Sequence, residues 1–432
     1  MFLKKLVLKN YRCYENFEID FPNRLTVIVG MNGAGKSTVL EAGTAALSAF
    51  TNGFDGYGLY PVTASDAFVK SYMLGDTYDF QPQYPVEITA CGEHEGKTYT
   101  WTRRRTSKAQ GKQPVKGSED MIACGREAEK RVRNGEEITL PVIAHYGTGR
   151  LWSENVREKD ILALSMTRQN GYKDAFTAHL KQSSMVSWFE KMTYKELRDG
   201  KASEAFRAVR TAMEKAFSSI TGDETVKVEM NLDTHDIDVV YQNKELGVHR
   251  LGLSQFSDGY RCTIFLIANI AYRMAMLNPH LEASVLEETD GVVLIDEIDL
   301  HLHPAWQQII LQDLMTIFPK VQFIVTTHAP AVIGSVRSEN LVILKDGAVY
   351  EKATEIFGND ANSIMNEIME VDERAPGVAE KFRKFDELIA NGLLDEAEAV
   401  LDEIDALRGN HDKQAAANRV KLKLEKIRGR KA

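Results

Sequence analysis

At 432 residues the chain has room for two or three structural units of about 100–200 residues each, and a hydrophobic content of 44% can supply a substantial core. The formal net charge of −9 argues against a surface that is basic throughout, and so against indiscriminate coating of nucleic acid. No stretch approaches the roughly 18–20 apolar residues that a membrane span requires, and Met1–Leu8 carries a basic pair without a long apolar run or small-residue cleavage site; the expected location is the cytoplasm, with no membrane partner.

The N-terminal residues read as a first strand, and Leu25-Thr26-Val27-Ile28-Val29 is a β-branched run ending at Gly30. There begins Gly30-Met31-Asn32-Gly33-Ala34-Gly35-Lys36-Ser37, which fits the phosphate-loop pattern G-x-x-x-x-G-K-[ST] between that strand and a predicted helix. Glycines let backbone N–H groups turn inward around phosphate oxygens, where the helix N-terminus adds positive potential. In such a loop Lys36 neutralises β and γ oxygens of ATP and Ser37 ligates Mg²⁺; Asn32, Gly33, Gly35 and Thr38 complete the expected nucleotide-contacting set. The plainer alternative is a glycine loop that only turns a strand into a helix. The coincidence of pattern and flanking elements favours the nucleotide.

Further along, Val86–Ala90 and Thr98–Thr102 alternate around Gly92–Gly96, a hairpin signal. Arg103-Arg104-Arg105 runs into a polar stretch through Asp120 with Lys108, Lys112 and Lys116, which fits either a flexible basic loop that contacts phosphates or a solvated hairpin tip. From Trp152 to Ile220 the pattern is helical, with Met185, Trp188, Phe189 and Met192 spaced as packing core, and Val226–Tyr241 returns to strands. No sustained heptad array, and hence no long coiled-coil arm, separates the two halves. The four cysteines, at positions 13, 91, 124 and 262, are too scattered for a zinc spacing and read as free thiols.

The run Val292-Val293-Leu294-Ile295 reads as a buried strand that delivers Asp296 and Glu297 at its end. Asp296 is placed to hold Mg²⁺ and Glu297 to polarise a water against the γ-phosphate. A helix over Pro304–Phe318 follows, then a strand over Val321–Val325 ending in Thr326-Thr327-His328, a βαβ unit of a parallel sheet. Leu341–Tyr350 is a closing hairpin, and the remaining residues read as helical, with Phe382, Phe385, Leu388, Ile389, Leu393, Leu394, Ala397 and Leu401 on two amphipathic helices that turn at Asn391-Gly392. That face either caps its own domain or docks a partner, with Phe382, Leu388 and Leu394 as candidate docking residues.

The order of the phosphate loop, then Leu253-Ser254-Gln255-Phe256-Ser257-Asp258-Gly259-Tyr260-Arg261, then Asp296-Glu297, Asp299 and His328 resembles the ABC-type ATPases of the SMC/RecF/OLD group, over residues 1–50 and 245–352. The resemblance implies an α/β P-loop NTPase fold with an ABC-ATPase head: a mixed sheet flanked by helices, an antiparallel β-lobe, a helical insertion and an α-helical C-terminal appendage. The corresponding boundaries are 1–151, 152–222, 223–352 and 353–432. It further implies that Ser257 and Gly259 touch the γ-phosphate bound by a second copy, that Asp299 falls in the D-loop, and that His328 is the switch histidine. Arg12 sits where related enzymes bring a basic residue toward the nucleotide, though an exposed strand-end arginine fits as well. Within the group the chain is similar to the PtuA-type ATPases of Septu and retron anti-phage defence systems, through Tyr146-Gly147-Thr148-Gly149-Arg150, Ser257–Arg261 and Asp360-Ala361-Asn362-Ser363-Ile364. That likeness implies a homodimer or higher homo-oligomer that restrains or licenses a separate effector such as an HNH nuclease, with a retron reverse transcriptase and DNA as further partners. One departure stands out: the loop glutamine with which ABC enzymes complete the Mg²⁺ shell has no counterpart near Tyr146–Arg150. A RecF-type repair clamp is the alternative reading. A transporter's nucleotide-binding subunit is a weaker one, because its Leu-Ser-Gly-Gly-Gln signature is missing.

Overall fold

Alternating apolar and polar residues make β1 (Phe2–Tyr11) and β2 (Tyr14–Asp20) an antiparallel pair, and a bulge between Leu3 and Lys5 keeps Leu3, Leu6 and Leu8 all on the buried face. In this computed structural model the described residues are all except 110, 112–113, 152–166, 178–181, 244–246, 351–356, 360, 369–373, 375, 409–411 and 430–432. The chain divides into two units, Met1–Asn359 and Asp360–Ala432.

In the first unit β3 (Leu25–Gly30) runs through the phosphate loop into α1 (Lys36–Thr51). An exposed hairpin, β4 (Val69–Leu74) and β5 (Thr77–Pro82), precedes β6 (Val86–His94) and β7 (Lys97–Arg105), which turn tightly at Glu95-Gly96 and complete a four-stranded antiparallel lobe in the order β2-β1-β6-β7. Then come α2 (Glu119–Arg133), β8 (Val142–Tyr146), α3 (Gln182–Asp199), α4 (Glu204–Thr221) and a three-stranded sheet of β9 (Lys227–Asn231), β10 (Asp236–Asn243) and β11 (Gly247–Gly252). The unit continues with α5 (Asp258–Leu277), α6 (Val285–Glu288), β12 (Gly291–Ile295), α7 (Pro304–Gln307), α8 (Ile310–Ile317), β13 (Val321–Thr326), α9 (Pro330–Gly334), β14 (Leu341–Lys345) and β15 (Ala348–Tyr350). The central sheet has the order β15-β14-β3-β13-β12-β8 and is parallel except for β15. This mixed, helix-flanked sheet with an antiparallel lobe is the architecture the resemblance implies.

Helix α1 lies between the two sheets, which is why it is apolar almost all round. A Cβ built on Gly43 would meet Leu294 of β12 at 3.3 Å and Leu6 of β1 at 3.8 Å. From β7, Trp101 Nε1 donates to the Ala46 carbonyl (2.8 Å) and Arg103 to that of Ala45 (2.9 Å). The basic run at 103–105 is therefore neither a phosphate-binding loop nor a solvated tip. It forms the end of β7, with Arg103 and Arg105 buried against carbonyls and Arg104 paired with Glu87. Helix α5 covers the other face of the central sheet, where Tyr146 donates its hydroxyl hydrogen to Asn269 Oδ1 (2.9 Å). Met185, Trp188, Phe189 and Met192 of α3 are buried as core. The helix expected over Pro304–Phe318 is broken into α7 and α8. An i→i+3 bond from Ile309 N to the Trp306 carbonyl (3.1 Å) tightens the chain there, and Trp306 is held edge-on against Tyr260.

The second unit contains α10 (Ala361–Glu367), α11 (Pro376–Ala390), α12 (Leu394–Arg408) and α13 (Lys413–Gly429). The expected turn at Asn391-Gly392 is present, with Gly392 in the left-handed region (φ 76°). A third helix, α13, joins the two that were expected. Its basic residues neutralise the acidic helices before it: Arg419 pairs with Asp402 and Asp405, Lys421 with Asp386, and Lys426 with Asp395 and Glu398. Phe382 and Leu388 do not form a docking surface. They pack with Phe385, Leu401, Ile404 and Leu422 in the unit's own core, against which Leu394 is half-buried, and among the described residues the large apolar side chains left exposed are Leu393, Leu407, Val420, Leu424 and Ile427.

Candidate nucleotide site

The phosphate loop is braced from below and from one side. Lys36 Nζ donates back across the loop to the carbonyls of Gly30 (2.9 Å) and Met31 (3.0 Å), and the Tyr14 hydroxyl donates to the Ala34 carbonyl (2.9 Å). Gly35 caps α1 in the left-handed region (φ 94°), and a Cβ there would overlap the Tyr14 hydroxyl, so only glycine fits. Asn32 and Gly33 are exposed at the loop tip, and Ser37 is exposed in the first turn of α1, where backbone N–H groups lack intrahelical acceptors. Thr38 is buried, with its hydroxyl 3.8 Å from Cys13 Sγ. This cradle of left-handed glycines, a helix N-terminus, one lysine and an exposed hydroxyl fits a Mg²⁺-bound nucleoside triphosphate.

The carboxylates arrive from the end of β12 and are held by residues of the neighbouring β13. Because β13 lies between β3 and β12, the C-terminal end of the sheet brings Lys36, the β12 acids and His328 together. Thr326 joins the two strands: its hydroxyl donates to Asp296 Oδ1 (2.5 Å) and accepts from Glu297 N (2.8 Å). Asp299 takes the Thr327 hydroxyl (2.6 Å) and the His328 amide (3.3 Å), tying the loop after β12 to the histidine. Glu297 holds a left-handed backbone (φ 47°), an unfavourable state for a residue with a side chain and one that recurs at functional sites. Burial holds the Lys36 ammonium below its ordinary pKa, opposed by the charges of Asp296, Glu297 and Asp299. Burial and the Lys36 charge likewise hold His328 below 6.5, against the same three carboxylates, so its imidazole is neutral at pH 7.

Other candidates lie elsewhere. Arg12, at the β1–β2 turn, is neither free toward the loop nor simply exposed: it pairs with Glu41 of α1 and with Asp66 (2.7 Å). Ser257 is exposed at the start of α5, and among the described residues the charge and hydrogen-bond interactions of the Lys36 cluster do not include it. Gly259 is buried, and a Cβ there would lie 2.5 Å from the His301 carbonyl; its small size lets α5 pack against the loop after Asp299. Sequence reasoning passed over Thr326 as a functional residue and did not single out His145. Each is a polar residue in a fully buried, mostly apolar strand, which is the signal that could have found them.

A family model described as an AAA domain matches residues 5–217, and another, described as an AAA domain, putative AbiEii toxin, Type IV TA system, matches residues 144–334. The Retron Ec83 probable ATPase of Escherichia coli is 25% identical over a 437-residue alignment covering 85% of this chain and 76% of that protein. The Septu protein PtuA of Bacillus mycoides (strain KBAB4) is 25% identical over 356 residues, 80% of this chain and 41% of that protein. The DNA replication and repair protein RecF of Leptospira biflexa serovar Patoc (strain Patoc 1 / Ames) is 28% identical over 116 residues, 26% of this chain and 28% of that protein. The chain thus spans about three quarters of the retron ATPase and less than half of the other two. With its phosphate loop, acidic strand end and mixed sheet, the chain is similar to the ABC-type ATPases of the SMC/RecF group and, within it, to the ATPases of retron and Septu systems.

Proposed function

We propose that this chain binds ATP with Mg²⁺ and hydrolyses it at a site completed by a second copy, and that it is the sensor or regulatory subunit of a bacterial anti-phage defence complex controlling a separate effector nuclease. The observation that carries the catalytic part is the convergence of Lys36, Asp296, Glu297 and His328 at one end of the sheet, with Thr326 holding the Asp296 carboxylate and the Glu297 backbone amide. Lys36 and the first-turn N–H groups of α1 bind the β and γ oxygens, while Ser37 and Asp296 hold the metal. A metal ion held there would supply positive charge to offset the charge that develops on those oxygens. Glu297 accepts the proton of the water whose oxygen attacks the γ-phosphorus as ADP leaves, and neutral His328 orients the γ-phosphate. Ser257 and the Gly259 backbone of the second copy close the site from the far side of the phosphate. The defence role is supported by the likeness to the retron and Septu ATPases.

Two variants test the chemistry. Lys36→Ala is expected to abolish nucleotide binding, whereas Glu297→Gln keeps binding but lowers turnover at least roughly 10²-fold, the lower range for loss of a general base. Calorimetry and phosphate release measure both. Near-normal turnover by Glu297→Gln removes Glu297 from the mechanism.

A further inference from the structure

All five residues of β8 are buried, and His145 stands among Val142, Ile143, Ala144 and Tyr146. Its register partner on β12 is Leu294, which faces α1 through the contact with Gly43. Residues two apart on a strand share a face, and the ladder continues past Ile295 through Asp296 N, which donates to the Tyr146 carbonyl (2.8 Å). His145 and Asp296 therefore both project to the α1 side of the sheet. Tyr146 confirms the alternation from the opposite face, where it reaches Asn269 of α5.

His145 is 7% exposed, and its Nε2 is buried without a hydrogen-bond partner. An unpaired ring nitrogen in an otherwise apolar strand is costly, and such groups call for a specific explanation. Burial keeps this imidazole in its neutral form, opposed by the nearby charges of Asp296 and Glu41. A neutral imidazole offers one ring nitrogen as an acceptor. A Mg²⁺-bound water is a strong donor, and Asp296 is the carboxylate assigned to the metal.

Building on the ATP·Mg²⁺ reading, we propose that His145 Nε2 accepts a hydrogen bond from a water ligand of the Mg²⁺ held at Asp296, making His145 a cofactor-contacting residue supplied by the strand beside the acidic one. The metal-dependent part of nucleotide affinity then depends on His145, and the metal-free part does not. The test compares binding of a non-hydrolysable ATP analogue, with Mg²⁺ and with EDTA, by calorimetry on the full chain. His145→Ala is expected to lose about tenfold of the Mg²⁺-dependent affinity, the usual scale for a group that orients a metal site, with affinity in EDTA unchanged. His145→Gln, which restores an acceptor, recovers most of the loss. Because an alanine in the core can also loosen the fold, ¹⁵N-histidine spectra of the unsubstituted protein supply a second readout. The Nε2 resonance of His145, assigned with the His145→Gln variant, should shift on adding the analogue with Mg²⁺ and stay in place with EDTA. A resonance and a Mg²⁺-dependent affinity both indifferent to the metal, in a protein that binds the Mg²⁺ nucleotide, overturn the role of His145 alone. Failure of the unsubstituted protein to bind the Mg²⁺ nucleotide overturns the ATP reading along with it.

Discussion

At the scale of single residues, the site depends on small polar groups placed between large charges. Thr326 is fully buried and makes two bonds, giving its hydroxyl hydrogen to Asp296 and accepting the Glu297 amide. Thr326→Val keeps the shape and removes both bonds, leaving a carboxylate oxygen and an N–H short of a partner. The expected destabilisation is about 1–3 kcal/mol, the cost of unsatisfied buried polar groups, together with weaker Mg²⁺-dependent nucleotide binding. Urea unfolding and calorimetry check the two effects. A valine variant as stable as the parent would mean that water replaces the hydroxyl.

At the scale of elements, helix starts are fixed by chemistry on neighbouring segments. Asp412 caps α13 by accepting the amides of Gln414 (3.0 Å) and Ala415 (3.1 Å), and it pairs with Arg374 (2.7 Å). Chiefly through Arg374, and further through these amides, its carboxyl is held down to about 2 from an ordinary 3.8. A depressed carboxyl pKa contributes stability that is fully present above the unfolded value and lost as pH falls through the folded one. The pair is therefore expected to stabilise the second unit by roughly 2 kcal/mol above about pH 4 and to lose that contribution between about pH 4 and pH 2. Asp412→Asn should remove most of this contribution at pH 6 and change little at pH 2. Hydrogen exchange in α11 and α13 during urea titration measures the difference, and equal protection of parent and variant at pH 6 would show that the cap and ion pair are marginal. At α5 the constraint is steric: Gly259→Ala pushes a methyl group into the His301 carbonyl, so the start of the helix must shift.

At the scale of the whole molecule, two arrangements can be tested. The C-terminal unit has its own core of Phe382, Phe385, Leu401 and Ile404. Deleting residues 360–432 is therefore expected to leave a folded protein with parental affinity for ATP, as measured by calorimetry and circular dichroism. Unfolding of the remainder would show instead that the helices cover apolar surface of the first unit. The composite site makes a separate demand. Lys36→Ala and Ser257→Arg should each be inactive alone, while a mixture regains about one working site per heterodimer. Verified heterodimers that stay inactive, or a Ser257→Arg protein with normal turnover, would rule out head-to-tail assembly.

The phosphate loop, the acidic end of β12 and most helices and strands were legible in the chain before any tertiary contact was known. Each of these is encoded by a few contiguous residues whose spacing sets a backbone conformation or an apolar face. The helical character of α13 was legible, but not that its basic residues pair with Asp386, Asp395, Asp402 and Asp405 of the helices before it. Arg103 looked like a surface cation because charge gives no sign of the Ala45 carbonyl and Ser48 hydroxyl of α1 that accept its hydrogen bonds. Phe382 and Leu388 carried a periodicity that revealed an apolar face and not what covers it. Strand order alone brings Thr326 to Asp296 and turns His145 to the same side of the sheet. Such pairings join residues far apart in the chain, and only the closing of the sheet creates them.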